Sequence, residues 1–204
     1  MSKGPQFVGL AVAITAFASS SLLAQGVTGP FGLHRGITQE QIIQVVGKKA
    51  VVEIKDDTLV FSTVPRPHPA FESYVLVFSP KDGLLKILAM GPDIRTNGFG
   101  EVIHDSFVEI RNAIAQTYGQ PDNIIDSVRA GSIWTEPEDW MMGLYKGERG
   151  LACGWGHALP KGLSLIMLSA AAASVEKGYL RLTYQFDGWS EYAEAKAKKA
   201  GTVF

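Results

Sequence analysis

The residues most able to carry covalent chemistry form one short cluster, Cys153-Gly-Trp155-Gly-His157. A cysteine becomes a nucleophile when a base such as histidine stands within hydrogen-bond reach of its sulfur. On a strand, Cys153 and His157 share a face but lie about 13 Å apart, so a turn at one of the glycines would be needed to join them. A secreted cysteine hydrolase is therefore one alternative, beside the simpler interpretation of a small buried thiol next to a core tryptophan.

Metal and cofactor chemistry find little support in the sequence. The four histidines are widely separated in the sequence and lack the spacing of metal ligands. They are His34, His68, His104 and His157. The chain contains no Gly-x-Ser-x-Gly elbow, phosphate-binding Gly-x-x-x-x-Gly-Lys loop or Cys-x-x-Cys pair. We therefore predict no metal, no cofactor and no catalytic residue.

Three carboxylates, Glu136, Glu138 and Asp139, stand between Trp134 and Trp140. A glycosidase needs two carboxylates that face each other across a sugar, with an aromatic platform nearby. The run Glu-Pro-Glu-Asp is more typical of an acidic hairpin loop between two strands than of a glycosidase site. We predict a solvent-exposed turn, with a binding rim or sugar hydrolysis as alternatives.

The best signal for binding comes from the tryptophans and from a proline-rich connection. Tryptophan is enriched at recognition hot spots. The segment Pro65-Arg-Pro-His-Pro69 is excluded from a central strand, and a stiff exposed segment loses little entropy on docking. Core packing and a plain strand connector are the alternatives. The residues predicted to bind a partner are Arg66, His68, Phe71, Trp134, Glu136, Glu138 and Trp140.

The composition narrows the classes of protein. The chain has 204 residues, with 19 Lys and Arg against 20 Asp and Glu and a single cysteine. A near-neutral charge without a basic block argues against nucleic acid as a partner. One cysteine excludes an intramolecular disulfide, so the fold depends on packing.

The first 24 residues have the layout of a secretory signal peptide. Lys3 is followed by an apolar stretch of about a dozen residues and by small residues, with cleavage expected after Ala18 or Ala24. An uncleaved anchor and a buried helix are the alternatives. Gln25 stands where a lipoprotein would carry its acylated cysteine, and no other segment is apolar enough to span a bilayer. We predict a periplasmic or secreted protein that is not a multi-span membrane protein.

The elements that must position these residues are short helices and antiparallel strands. Thr38 and Gln41 form a capping box before a helix over 38–46, and Ser106 and Glu109 form another before a helix that Gly119 ends. A charged helix is predicted over 190–200. The predicted strands are 50–54, 59–64, 73–78, 84–90, 128–135, 140–146, 151–157, 163–171 and 178–186.

Helices segregated from an antiparallel sheet indicate an α+β fold. A helix followed by a β-meander occurs twice, so we predict two helix-plus-meander units, 25–104 and 105–204, after the signal peptide 1–24. The second unit carries the C-terminal helix.

The first half resembles the small envelope proteins of the SmpA/OmlA type, the BamE-like lipoproteins of outer-membrane assembly. The resemblance rests on Gly36-Ile-Thr38, Gln41, Val45-Val-Gly47 and the strand regions 74–78 and 83–87. It implies an exported domain that binds protein or peptide without catalysis. We therefore expect a non-enzymatic binding protein whose partner is an envelope or extracellular protein, with an inhibitor or immunity-type domain that blocks an enzyme as a further alternative.

Overall fold

The structure, a computed structural model, describes residues 29–201. The predicted signal peptide lies outside these residues. The strands of the described part are β1 Val51–Lys55, β2 Thr58–Phe61, β3 Ser73–Ser79, β4 Gly83–Met90, β5 Ile94–Arg95, β6 Asn123–Val128, β7 Arg149–Trp155, β8 Leu163–Ser174 and β9 Lys177–Phe186. They form one antiparallel sheet in the order β1-β2-β3-β4-β9-β8-β7-β6, and β5 pairs with β9 beside this path.

Between residues 29 and 201, four α-helices accompany the sheet, and the α+β class is confirmed. They are α1 Gln39–Val46, α2 Glu101–Tyr118, α3 Trp140–Tyr145 and α4 Trp189–Gly201. The capping box of α1 is present, because Thr38 accepts from the amide of Gln41 while the Gln41 side chain accepts from the amide of Thr38. Among the described residues, no helix is long and apolar enough to cross a membrane.

Each half of the chain contributes a run of antiparallel neighbours to the sheet. Strands β1 to β4 pair in sequence order, as do β6 to β9, and the last strand of each run meets the other at β4–β9. At this seam Leu88 lies opposite Thr183 and Ala89 lies opposite Leu182. The two runs therefore build a single sheet with one shared hydrophobic core.

One face of the sheet carries this core. Along β9, Leu180, Leu182 and Tyr184 are buried, and α2 adds Phe107 and Ile110 to the same cluster. The strands alternate because successive side chains point to opposite faces of a sheet. We call this side the core face; α2 packs on it against β8 and β9, and α3 packs against β7 and β8.

Helix α2 begins earlier than predicted. The side chains of Thr96 and Asn97 accept from the amides of Val102 and Glu101, so capping occurs here. The hydroxyl of Ser106 instead donates to the carbonyl of Val102 inside the helix. The prediction of a cap at Ser106 was wrong, and the unit boundary drawn between residues 104 and 105 falls inside α2.

Two predicted strands are also absent from their expected positions. The ladder of β6 with β7 ends at Val128, and Gly131 then turns the chain with a φ of +83°. Segment 140–146 forms helix α3, since Trp140, Met141 and Leu144 are buried at a helical spacing rather than in alternation. The acidic run 136–139 is consequently not a hairpin loop; it includes a 3₁₀ turn, Pro137–Asp139, that leads into α3.

Candidate functional site

The sheet has a second face, which carries aliphatic side chains on several neighbouring strands. Side chains there form a cross-strand row that runs from β2 to β8 through the seam. The row consists of Val60, Val75, Leu88, Thr183 and Met167. A neighbouring row consists of Met90, Arg181, Ser169, Ala152 and Ile125. We call the two rows together the open face, because α2 and α3 pack on the opposite side of the sheet.

The open face offers accessible apolar surface. Met167 is 39% exposed and Ile125 is 46% exposed, while Val60, Val75 and Leu88 are half-buried between their neighbours. The polar residues in the middle of the two rows, Thr183 and Ser169, are 5% and 8% exposed. Exposed apolar side chains on neighbouring strands are typical of a surface that another molecule covers. This face can therefore bind a partner by burial of aliphatic side chains, without a covalent step.

Helix α4 lies at one end of the second face. The Nζ of Lys86 stands 4.7 Å from the centre of the Trp189 ring, a cation–π contact. Lys86 points to the second face because it lies opposite Val77 and Gln185, which alternate with core residues. Partial burial lowers the pKa of Lys86.

A polar cluster fixes the far part of α4 to the turn between β1 and β2. Both carboxylate oxygens of Asp57 accept from Nζ of Lys196 at 2.6 Å, and the hydroxyl of Tyr192 also donates to this carboxylate. Partial burial raises the pKa of Asp57, but the bonds from Lys196, Tyr192 and Thr58 outweigh it and hold the pKa below its ordinary value. Partial burial and the bond to Asp57 raise the pKa of Tyr192 to about 12.

The predicted binding loop, residues 66–71, packs beside α2. The amide of Arg66 donates to the carbonyl of Phe31, and the side chains of Arg66 and His68 are exposed. Phe71 is 6% exposed and meets the ring of Phe31 edge-on at 5.9 Å. Two of the three predicted binding residues of this loop, Arg66 and His68, are thus available to a partner, whereas Phe71 belongs to the core.

The second predicted binding segment, Trp134 to Trp140, lies at the start of α2. Trp140 is 3% exposed, and its ring centre is 4.3 Å from that of His104. Its Nε1 has no hydrogen-bond partner among the described residues. Trp134 is half-buried, and Glu136 and Glu138 are exposed.

The structure does not join these two segments into one site. Loop 66–71 lines a cavity of about 200 Å³ with Ile110 and Tyr118, in the middle and last turns of α2. Segment 134–140 instead meets the residues before the helix, where the amide of Met141 donates to the carbonyl of Gly98. A binding role for Phe71 or Trp140 would require either ring to leave the core.

Cys153 is a buried thiol of the core face. It is 1% exposed and lies opposite Leu168 and Ile124 on the two neighbouring strands. Burial raises the pKa of Cys153 to about 11, although Arg111 and the amide of Leu168 act in the other direction. Such a thiol is almost fully protonated at neutral pH, so it has little nucleophilic character.

His157, the histidine of the Cys153 cluster, has Asp122 as its partner. Its Nδ1 lies 3.2 Å from a carboxylate oxygen of Asp122, and the amides of Gly156 and His157 donate to the same oxygen at 2.5 and 3.0 Å. These backbone bonds lower the pKa of Asp122. Within residues 29–201, no three His, Cys, Asp or Glu side chains stand close enough together to hold a metal ion.

The open face was missed by the sequence reasoning. A signal exists, because Tyr74 to Phe78 is apolar on both faces, but such a run is equally typical of a central strand. Identification of the rows requires the register of seven strands, which a single sequence does not provide.

Comparisons with known proteins found no relative: no family model, curated protein or solved structure matches this chain. The resemblance to BamE-like domains stays a prediction, and the function must be argued from geometry.

Proposed function

We propose that this chain is an exported, non-enzymatic binding protein that engages an envelope or extracellular protein through its open face. The observation that carries the proposal is the cross-strand row centred on Leu88 and ending at Met167, 39% exposed. Protein interfaces bury an apolar centre within a polar rim. Here Arg181 and Gln185 of β9 flank the row and can supply polar contacts.

Export is supported by the N-terminal pattern of Lys3, an apolar stretch and small residues up to Ala24. The resemblance of the first half to BamE-like domains supports the same kind of role, since those domains are exported and bind protein. Under this proposal the mature protein acts in the periplasm or outside the cell.

The cysteine-hydrolase alternative is disfavoured by the environment of Cys153. A nucleophilic thiol needs access to substrate and a substantial thiolate fraction. Cys153 is 1% exposed and its pKa is raised to about 11. His157, the nearest histidine in sequence, is engaged with Asp122 instead.

The test uses a photo-crosslinking amino acid at two positions of equal exposure. Met167 on the open face is 39% exposed, and Val108 on the outer side of α2 is 40% exposed. Each variant is produced in the native host with its own N-terminus, irradiated and examined for adducts. We expect protein adducts from position 167 and none from position 108.

Two controls sharpen the result. Met167→Asp should remove capture by a crosslinker at the neighbouring position Leu165, whereas Val108→Asp should leave it unchanged, because only the first places a charge in the apolar row. N-terminal sequencing of the host protein should show that residues up to the cleavage site are gone. Equal adducts from both positions, or an intact Met1 on a cytosolic species, would refute the proposal.

A further inference from the structure

The two edges of the sheet differ in how well they are protected. Edge strand β1 carries a register shift between Val51 and Glu53, and Lys48 and Lys49 precede it. Bulges, lysines and inward-pointing charges are devices by which proteins prevent pairing at a sheet edge. The opposite edge, β6, has neither a bulge nor a lysine: its ladder with β7 is regular from Asn123 to Val128, and its one charged side chain, Asp126, lies on the core face opposite Leu151.

Strand β6 is also uncovered. Five of its six residues are exposed, and two of them are large aliphatic side chains, Ile124 at 55% and Ile125 at 46%. These two lie on opposite faces of the sheet, since Ile124 pairs with Cys153 of the core face and Ile125 with Ala152 of the open face. Each side of the edge thus carries one exposed isoleucine, beside Asp126 on the core-face side and between Asn123 and Ser127 on the open-face side.

The free hydrogen-bonding groups of β6 can be identified from its ladder. The amide of Arg129 donates to the carbonyl of Glu148, so residue 129 points towards β7. Residues alternate in an antiparallel ladder, hence Ile125 and Ser127 also point towards β7. The N–H and C=O groups of Ile124, Asp126 and Val128 therefore point away from the sheet.

We propose that a second copy of this chain pairs with β6, antiparallel, about a two-fold axis through Ile125. In this register Ile125 meets Ile125 of the second copy in a non-hydrogen-bonded pair, where side chains approach closest. Ile124 lies opposite Asp126 of the other copy, twice by symmetry. Each of these two pairs exchanges both N–H···O bonds through the groups that point outwards.

Charge selects this register over its neighbours. Asp126 is the one charged residue of β6. An axis through Ile124 would place Asp126 opposite Asp122 of the other copy, and an axis through Asp126 would place it opposite itself. Like charges directly opposite each other destabilise a strand pair. The axis through Ile125 avoids both contacts and joins the open faces of the two copies across the new seam.

A disulfide test reads this register directly. The protein with Cys153→Ala is combined with either Ile125→Cys or Ser127→Cys, both exposed residues of the same strand face. Cα atoms of a non-hydrogen-bonded pair are about 4.5 Å apart, within the range of disulfides. The two copies of residue 127 would lie about 13 Å apart and out of reach.

Under mild oxidation we expect Ile125→Cys to give covalent dimer about tenfold or more faster than Ser127→Cys. A mixture of Asn123→Cys and Ser127→Cys proteins should give the heterodimer, because these residues lie opposite each other. Failure of Ile125→Cys to crosslink, or equal crosslinking by Ser127→Cys alone, would overturn the proposal.

A second measurement needs no cysteine. By light scattering, the protein should have twice the mass of its chain, Ile125→Lys should be monomeric, and Val52→Lys on β1 should remain dimeric. Val52 is 67% exposed, so it is a fair control on the other edge. A monomeric wild type, or a dimer that Ile125→Lys leaves intact, would also overturn the proposal. These mass measurements do not depend on photo-crosslinking at Met167. The dimer proposal and the proposed binding function can therefore fail independently.

Discussion

The reactivity of Cys153 separates a binding protein from a cysteine hydrolase. An unperturbed thiol, with a pKa of about 8.5, is about 3% thiolate at pH 7. Burial raises the pKa of Cys153 to about 11. The thiolate fraction at pH 7 is then about 300-fold lower than for the unperturbed thiol. Higher basicity returns about a factor of 15 in intrinsic nucleophilicity, so ionisation alone predicts labelling that is about 20-fold slower.

Restricted access has the larger effect. Cys153 is 1% exposed, so a reagent must wait for the core to open. An opening that requires about 3 kcal/mol lowers the rate by about 150-fold. The opened state exposes the thiol and restores its ordinary pKa, so the two factors do not multiply, and we expect a reaction about 150-fold slower in the folded protein than in urea. The rate is measured at pH 7 with a thiol reagent that absorbs light on reaction.

An internal reference makes this assay independent of protein concentration. Ala173 is an exposed residue of β8, so Ala173→Cys adds a thiol that should label rapidly in the same molecule. Two phases of equal amplitude are expected, the slow one from Cys153. Labelling of folded Cys153 within about tenfold of its rate in urea would refute the inertness argued from burial.

Two further predictions concern the supports of the fold. Gly100 has a φ of +71°, and an added Cβ would overlap the Trp140 ring, so Gly100→Ala should destabilise the protein by about 2–5 kcal/mol. Gly119→Ala, at φ +83° and ψ −177° in open space, should show only the backbone cost of a conformation that favours glycine, about 1–3 kcal/mol, when both are compared by urea unfolding. Asp57→Asn should speed hydrogen exchange in α4, because the ion pair with Lys196 is lost. The pKa of Asp57 is lowered on folding, so this support is complete at neutral pH; wild type and variant should converge as the pH falls below about 3.9.

Local signals predicted the elements that they specify alone. The capping box of Thr38 and Gln41 located α1 correctly, since both of its hydrogen bonds lie within four residues. Leu180, Leu182 and Tyr184 alternate with polar residues, which indicates a strand with one buried side, and β9 has this side, although Thr183 on its other side is also only 5% exposed. Neither feature depends on what the rest of the chain does.

Local signals do not predict an element when packing against residues distant in the sequence decides whether it is a helix or a strand. Trp140, Met141 and Leu144 read equally well as a strand or as a short helix, and only their contact with β7 and β8 selects the helix. The predicted anchors Phe71 and Trp140 are buried for the same reason. An aromatic residue in a polar segment does not reveal whether it points into the core or into solvent.

The apolar character of β3 on both faces has a physical meaning beyond its position in the sheet. Antiparallel sheets commonly present polar side chains on the face that meets water. Here Tyr74 and Leu76 fill the core face while Val75 and Val77 point to the other side, on which α4 is the one helix of residues 29–201 and lies at one end. Aliphatic residues at such positions gain about 25 cal/mol per Å² when they are covered. A second layer would therefore stabilise this side of the sheet, and under the proposed function another protein supplies that layer.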